Sequence, residues 1–160
     1  MSIRFYTYEE RPELRERAGF LRYAWPAFML ESPISNERWH LLYERFPRFQ
    51  FWMVDEATDE ILAEGNSLPA RLDLDELPDS GWEYVMEHAT AGDEEPTLVS
   101  AIQVLVDRER HGRGLSALML AETAPGGAGS LRGSGGTCAT EHQEYVPADF
   151  HGALRGVDYR

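Results

Sequence analysis

The run from Leu98 to Val106, LVSAIQVLV, constrains this chain more than any other stretch. Only Ser100 and Gln103 interrupt a series of apolar, largely β-branched residues, and such a run predicts a strand covered on both faces. Layers must therefore lie on both sides of the sheet that contains it. The run stops at Asp107. Arg108, Glu109, Arg110, His111, Gly112, Arg113 and Gly114 form a polar turn, after which Leu115, Leu118, Met119 and Ala121 recur at helical spacing. A strand thus feeds a helix through a glycine turn.

The first N–H groups of a helix lack intrahelical acceptors and carry the positive end of its dipole, so this turn predicts an anion site. Gly112 and Gly114 leave room for the ligand. Arg108, Arg110 and Arg113 add positive charge on a chain whose formal net charge is −13, so the local field opposes the global one. A phosphate or pyrophosphate fits these requirements. An ordinary strand-to-helix loop with solvated arginines fits the spacing equally well, because short glycine motifs are weakly specific.

The residues Val106-Asp107-Arg108-Glu109-Arg110-His111-Gly112-Arg113-Gly114-Leu115-Ser116 resemble the acetyl-CoA loop of the GNAT family of N-acetyltransferases, Arg/Gln-x-x-Gly-x-Gly/Ala after a strand ending in Val. His111 stands where the family prefers Arg or Gln, and Ser116 where it prefers Gly or Ala. The resemblance implies an α/β chain with a mixed α+β sheet, the GNAT-like acyl-CoA N-acyltransferase fold. It also implies acetyl-CoA as co-substrate and no metal. The backbone groups of Val104 and Val106 would bond the pantetheine amides, and the N–H groups of His111, Gly112, Arg113, Gly114, Leu115 and Ser116 would take the pyrophosphate. The acyl group would pass to the amine of a small molecule or peptide. Asp107, Glu64 and, behind them, Glu109 are the candidate bases near the strand, and none stands out, because each reads more readily as a solvated surface carboxylate. The tyrosine that many members use as an acid has no counterpart here, since Tyr145 lacks its sequence context, and the catalytic residues stay unassigned.

The rest of the chain fits one domain at 160 residues. Ile3, Phe5 and Thr7 alternate with polar neighbours in a first strand. A helix follows from Pro12, with Leu14, Ala18, Leu21 and Trp25 on one face and Pro26 ending it. Ser35 or Asn36 caps a second helix carrying Trp39, Leu42, Tyr43 and Phe46, and Pro47 stops it. Phe49, Phe51 and Met53 alternate ahead of an acidic turn and the extended run Ile61 to Ser67, which reads as an antiparallel hairpin. Trp82, Tyr84, Val85 and Met86 mark a short helix in the insertion Arg71 to Pro96. The aromatic residues are expected in the core, with Trp25 and Phe28 alternatively bordering an acceptor pocket.

Residues 1–124 make the GNAT-like domain. Residues 125–160 hold Gly126, Gly127, Gly129, Gly133, Gly135 and Gly136 without an apolar period, and read as a flexible tail. This tail is expected to leave the fold incomplete at its C-terminal side, exposing an apolar edge through which a homodimer could form.

Composition removes several alternatives. All 15 basic residues are arginine, so a Walker-type loop, a lysine Schiff base and a lysine general base are excluded. The acidic balance, 28 against 15, argues against nucleic acid or an anionic membrane as partner. No run approaches the length of a membrane span, no apolar signal core opens the chain, and Cys138 has no second cysteine to pair with; a cytoplasmic location is expected. The histidines His40, His88, His111, His142 and His151 lack zinc-ligand spacing. Gly112, Gly114 and Ala117 formally match a G-x-G-x-x-A dinucleotide fingerprint, but no βαβ unit follows. The alternative from another class is a degenerate module that binds acyl-CoA or a protein partner without turnover.

Overall fold

The computed structural model describes residues 2–76, 78–92 and 94–123, without the side chains of Phe28, Leu74 and Thr123. Its framework is a four-stranded antiparallel sheet in the order β1 (Ile3–Thr7), β2 (Gln50–Asp55), β3 (Glu60–Ala70), β4 (Leu98–Val106). The β2–β3 hairpin turns where expected, and Asp59 takes a positive φ of 56° there. The side chain of Asp59 is gripped by Arg11 and Arg17, each at 2.9 Å, which ties the turn to the first helical segment.

Helices cover both faces. On one, α1 (Leu14–Arg17), α2 (Pro33–Arg45) and α3 (Trp82–Ala91) enclose a core containing Leu14, Leu21, Leu42, Trp52, Leu68 and Met86, each fully buried. On the other, Leu115 and Met119 of α4 (Leu115–Thr123) pack on Phe51, Met53, Leu62 and Ala63. Leu62 and Ala63, adjacent in sequence, reach the same layer because the β2–β3 register shifts between Met53 and Val54. Gly65 lets α4 come close: a Cβ there would stand 2.7 Å from the Phe51 ring and 2.8 Å from Met119 Cε. The mixed α+β class and the strand–turn–helix unit are therefore those the sequence predicts.

Three expectations need correction. Full burial belongs to β2 and most of β3, while β4 is half-buried along its length and has one partner, β3, among the described residues. The helix expected from Pro12 to Trp25 is one α-turn followed by 3-10 helices at Ala18–Ala24 and Ala27–Glu31; Gly19 and Pro26 interrupt what would otherwise propagate. The cap of α2 is Ser32, not Ser35 or Asn36. Its Oγ accepts the Ser35 N–H at 3.2 Å with Pro33 at the first helical position. Pro47 begins a 3-10 turn, Pro47–Phe49, directly after α2. Residues 125–160, with the expected tail, Cys138, His142, Tyr145 and His151, lie outside the described residues.

Candidate functional site

The glycine turn sits between the two helical layers at the end of β4. Asp107 caps a 3-10 turn, Arg108–Arg110, by accepting the Glu109 N–H on its carboxylate. Gly112 and Gly114 then take φ of 75° and 74°, and α4 begins. A Cβ at either glycine would meet no heavy atom of the described residues within 4 Å. Backbone conformation therefore calls for glycine at both positions, independently of any room a bound anion would need. Leu118 N–H bonds to Gly114 C=O at 3.2 Å, so the helix ladder opens there. The His111 N–H, expected among the anion donors, is instead taken by the Arg108 C=O at 3.3 Å; among the described residues, the N–H groups from Gly112 to Ala117 find no acceptor.

The three arginines behave differently from one another. Arg110 pairs with Glu60 at 2.6 Å, and Arg108 lays its guanidinium over the Tyr23 ring at 4.9 Å. Arg113 is exposed and has no partner among the described residues, so it alone keeps its charge for a ligand at the turn. His111 is exposed, and its Nε2–H donates to the Val106 carbonyl at 3.1 Å, since a carbonyl can only accept.

Strand geometry settles where the β4 backbone points. Asp107 N–H donates to Leu62 C=O at 3.0 Å, and Leu105 and Gln103 lie opposite Glu64 and Asn66. Alternation then turns the backbone groups of Val104 and Val106 away from β3, toward the strand's other edge. Their side chains join the α4 layer, while Ile102 and Leu105 join the layer of α1–α3.

On that second layer lies a cleft of about 370 Å³ between the 3-10 segments, α2 and the strand pair β3–β4. Trp25 and Trp39 meet edge to face at 5.3 Å in its wall, and Met29 and Leu30 adjoin them. The expected Trp25–Phe28 border is thus present through Trp25; the Phe28 side chain is outside what is described. Glu64 lies in the floor at 9% exposure. Burial pushes its carboxyl upward from the usual carboxylate range, against the downward pull of the Tyr43 hydroxyl, which donates to it at 3.0 Å, and of the Arg15 charge. Tyr43 itself is pushed up, first by burial and then by the Glu64 charge. Its oxygen accepts from Asn66 Nδ2 at 3.1 Å, and Asn66 also donates to Gln50 Oε1 at 3.0 Å, so the carboxyl ends a buried chain of polar groups.

Of the three carboxylates singled out in the sequence, Glu64 is the one brought into the cleft. Asp107 is occupied as a cap and accepts from the Tyr23 hydroxyl at 3.0 Å, and Glu109 is exposed. Sequence reasoning missed Tyr23 altogether. Its hydroxyl also accepts the Arg108 N–H at 3.0 Å, joining the wall of the cleft to the start of the glycine turn. Among the described residues no group of three or more His, Cys, Asp and Glu side chains is arranged to hold a metal, and no helix is long and apolar enough to cross a membrane.

One curated protein similar to this chain is the arginine N-acetyltransferase avaD of Aspergillus versicolor, 31% identical over an alignment of 107 positions that covers 60% of this chain and 37% of that protein. Over the matched residues this chain is similar to an acetyltransferase. It spans little more than a third of that relative's length. No family model and no solved structure matches the chain. The four antiparallel strands followed by a glycine turn and helix are compatible with the GNAT-like fold through the last described residue.

Proposed function

We propose that this chain transfers an acetyl group from acetyl-CoA to an amine held in the cleft. The observation that carries the reading is the placement of the β4 edge between two features: a helix start with unfilled N–H groups, and a cleft with a buried carboxyl. The groups from Gly112 to Ser116, with Arg113 beside them, suit a pyrophosphate, and the outward backbone of Val104 and Val106 suits the amides of a pantetheine arm. His111 already bonds the Val106 carbonyl, so its ring must give way for that carbonyl to serve the arm.

Glu64 takes the proton of the amine in this reading. An ammonium has no lone pair; once its proton passes to the carboxylate, nitrogen attacks the thioester carbonyl carbon, the carbon–sulfur bond breaks, and sulfur leaves as the thiol with the second nitrogen-bound proton. A carboxyl raised by burial is better matched to an amine than a solvated one, because proton transfer is most effective when the acceptor's pKa lies near the working pH. The name of the Aspergillus relative makes arginine the first amine to try.

Thiol release from acetyl-CoA, measured with the full chain and a panel of amines headed by arginine, tests the proposal. Turnover should appear with at least one amine, and Arg113→Ala should raise the KM for acetyl-CoA most strongly at low salt. Tight CoA binding in calorimetry without turnover of any amine would select the non-catalytic module instead. No binding of CoA would remove both readings.

A further inference from the structure

The cleft holds more chemistry than an amine requires. Besides Glu64 it is lined by Arg15, Arg22 and Gln103. Arg22 has no partner among the described residues; Arg15 makes no hydrogen bond or ion pair among them, lies over the Tyr43 ring at 3.9 Å and acts on Glu64 through its charge alone. Gln103, on β4, has its Oε1 buried without a hydrogen-bond partner among the described residues. Two cations and one carboxyl make the cleft net positive even with Glu64 ionised, within a chain of formal charge −13. A simple alkylammonium would enter against that field.

These groups divide by sign. Glu64 and Gln103 Oε1 are acceptors and call for N–H groups; Arg15 and Arg22 are donors only and call for an anion. Tyr43 spaces them, carrying Arg15 on its face and donating its hydroxyl to Glu64, so cation and carboxyl stand one aromatic ring apart. A molecule whose ammonium and carboxylate are separated by a single carbon can reach both.

We infer that the acceptor is a free amino acid, its carboxylate held by Arg15 and Arg22 and its amine directed to Glu64 and Gln103. The inference rests on the reading of the cleft as the acceptor site. Arg15 and Arg22 then determine specificity: they reject amines that have lost the carboxylate, such as decarboxylated or amidated amino acids, through an unpaired cationic pair and like-charge repulsion.

The test compares L-arginine with L-argininamide, and L-leucine with L-leucinamide, by calorimetry on the full chain with CoA present, and in parallel by thiol release with acetyl-CoA. Each acid should bind about 10–100-fold more tightly than its amide, the usual worth of a charge-assisted contact. Arg22→Ala and Arg15→Gln should each shrink that ratio, by weakening the binding of the acid and relieving the repulsion that the amide meets. Equal or reversed binding of acid and amide in the unaltered chain overturns the inference. So does failure of every amino acid to bind, or an equal loss for acid and amide in both variants. Selective binding of the acids without turnover upholds the cleft as an amino-acid site and removes the acetyl-transfer reading alone.

Discussion

Replacing Gly114 by alanine isolates the conformational demand of the glycine turn. With a φ of 74° and no heavy atom within 4 Å of an added Cβ, the substitution introduces no clash; its cost is that of placing an L-residue in left-handed backbone. That cost is about 1–2 kcal/mol, and stiffening of the unfolded chain changes it by less than about 1 kcal/mol. For a chain of this size each kcal/mol lowers Tm by about 2–4 °C. Gly114→Asn should lose roughly half as much, because asparagine tolerates the left-handed region. Urea unfolding followed by tryptophan fluorescence measures both. If alanine is neutral, or asparagine is as damaging as alanine, the conformational argument fails. Calorimetry with CoA on the same variants asks whether the affinity follows the order Gly, Asn, Ala, as it should if the N–H groups after Gly114 hold the pyrophosphate.

Gly65→Ala should destabilise for the opposite reason, by about 1–3 kcal/mol of overpacking against Phe51 and Met119, and Phe51→Leu in the same chain should recover part of the loss in a thermal melt. Burial raises the Glu64 carboxyl above 4.5, so the folded chain keeps this proton to higher pH than the unfolded chain does. The associated stability is complete below the unfolded pKa and is lost as pH rises through the folded one, and Glu64→Gln should abolish that decline in a stability–pH series. Acetyl transfer should rise with pH over the same raised pKa, and Glu64→Gln should lower kcat about 10²–10⁴-fold. Tyr23→Phe removes the hydroxyl bonds to Asp107 and Arg108 and should raise the KM for acetyl-CoA about 5–10-fold with a smaller change in Tm than Gly65→Ala.

The strand–turn–helix unit was legible because its signals are local: a continuous apolar run, two glycines, then a 3.6-residue period. The hairpin was legible for the same reason. What escaped was set by contacts distant in sequence. Glu64 looks like one more carboxylate in an acidic chain, and only its position inside the apolar run Ile61–Gly65 hints at burial; nothing local says that Tyr43, on α2, reaches it. The segment from Ala18 to Glu31 defeated the periodicity argument because a 3-10 helix repeats every three residues and Gly19 and Pro26 weaken the α-helical alternative. The arginines of the turn could be counted but not apportioned, since Glu60 and Tyr23 claim two of them through tertiary contacts.

The hydroxyl of Tyr23 belongs to two segments at once. It is carried by the 3-10 helix whose Gly19 and Arg22 line the cleft, and it closes on the carboxylate of Asp107 and the N–H of Arg108, where the chain leaves β4 for the glycine turn. A ligand that displaces either segment strains the same pair of bonds. Equilibrium thermodynamics makes such an effect mutual: the factor by which one ligand tightens or loosens the other is the same whichever binds first. Neither ligand would then bind independently of the other, and the strength of that coupling becomes a property of one phenol.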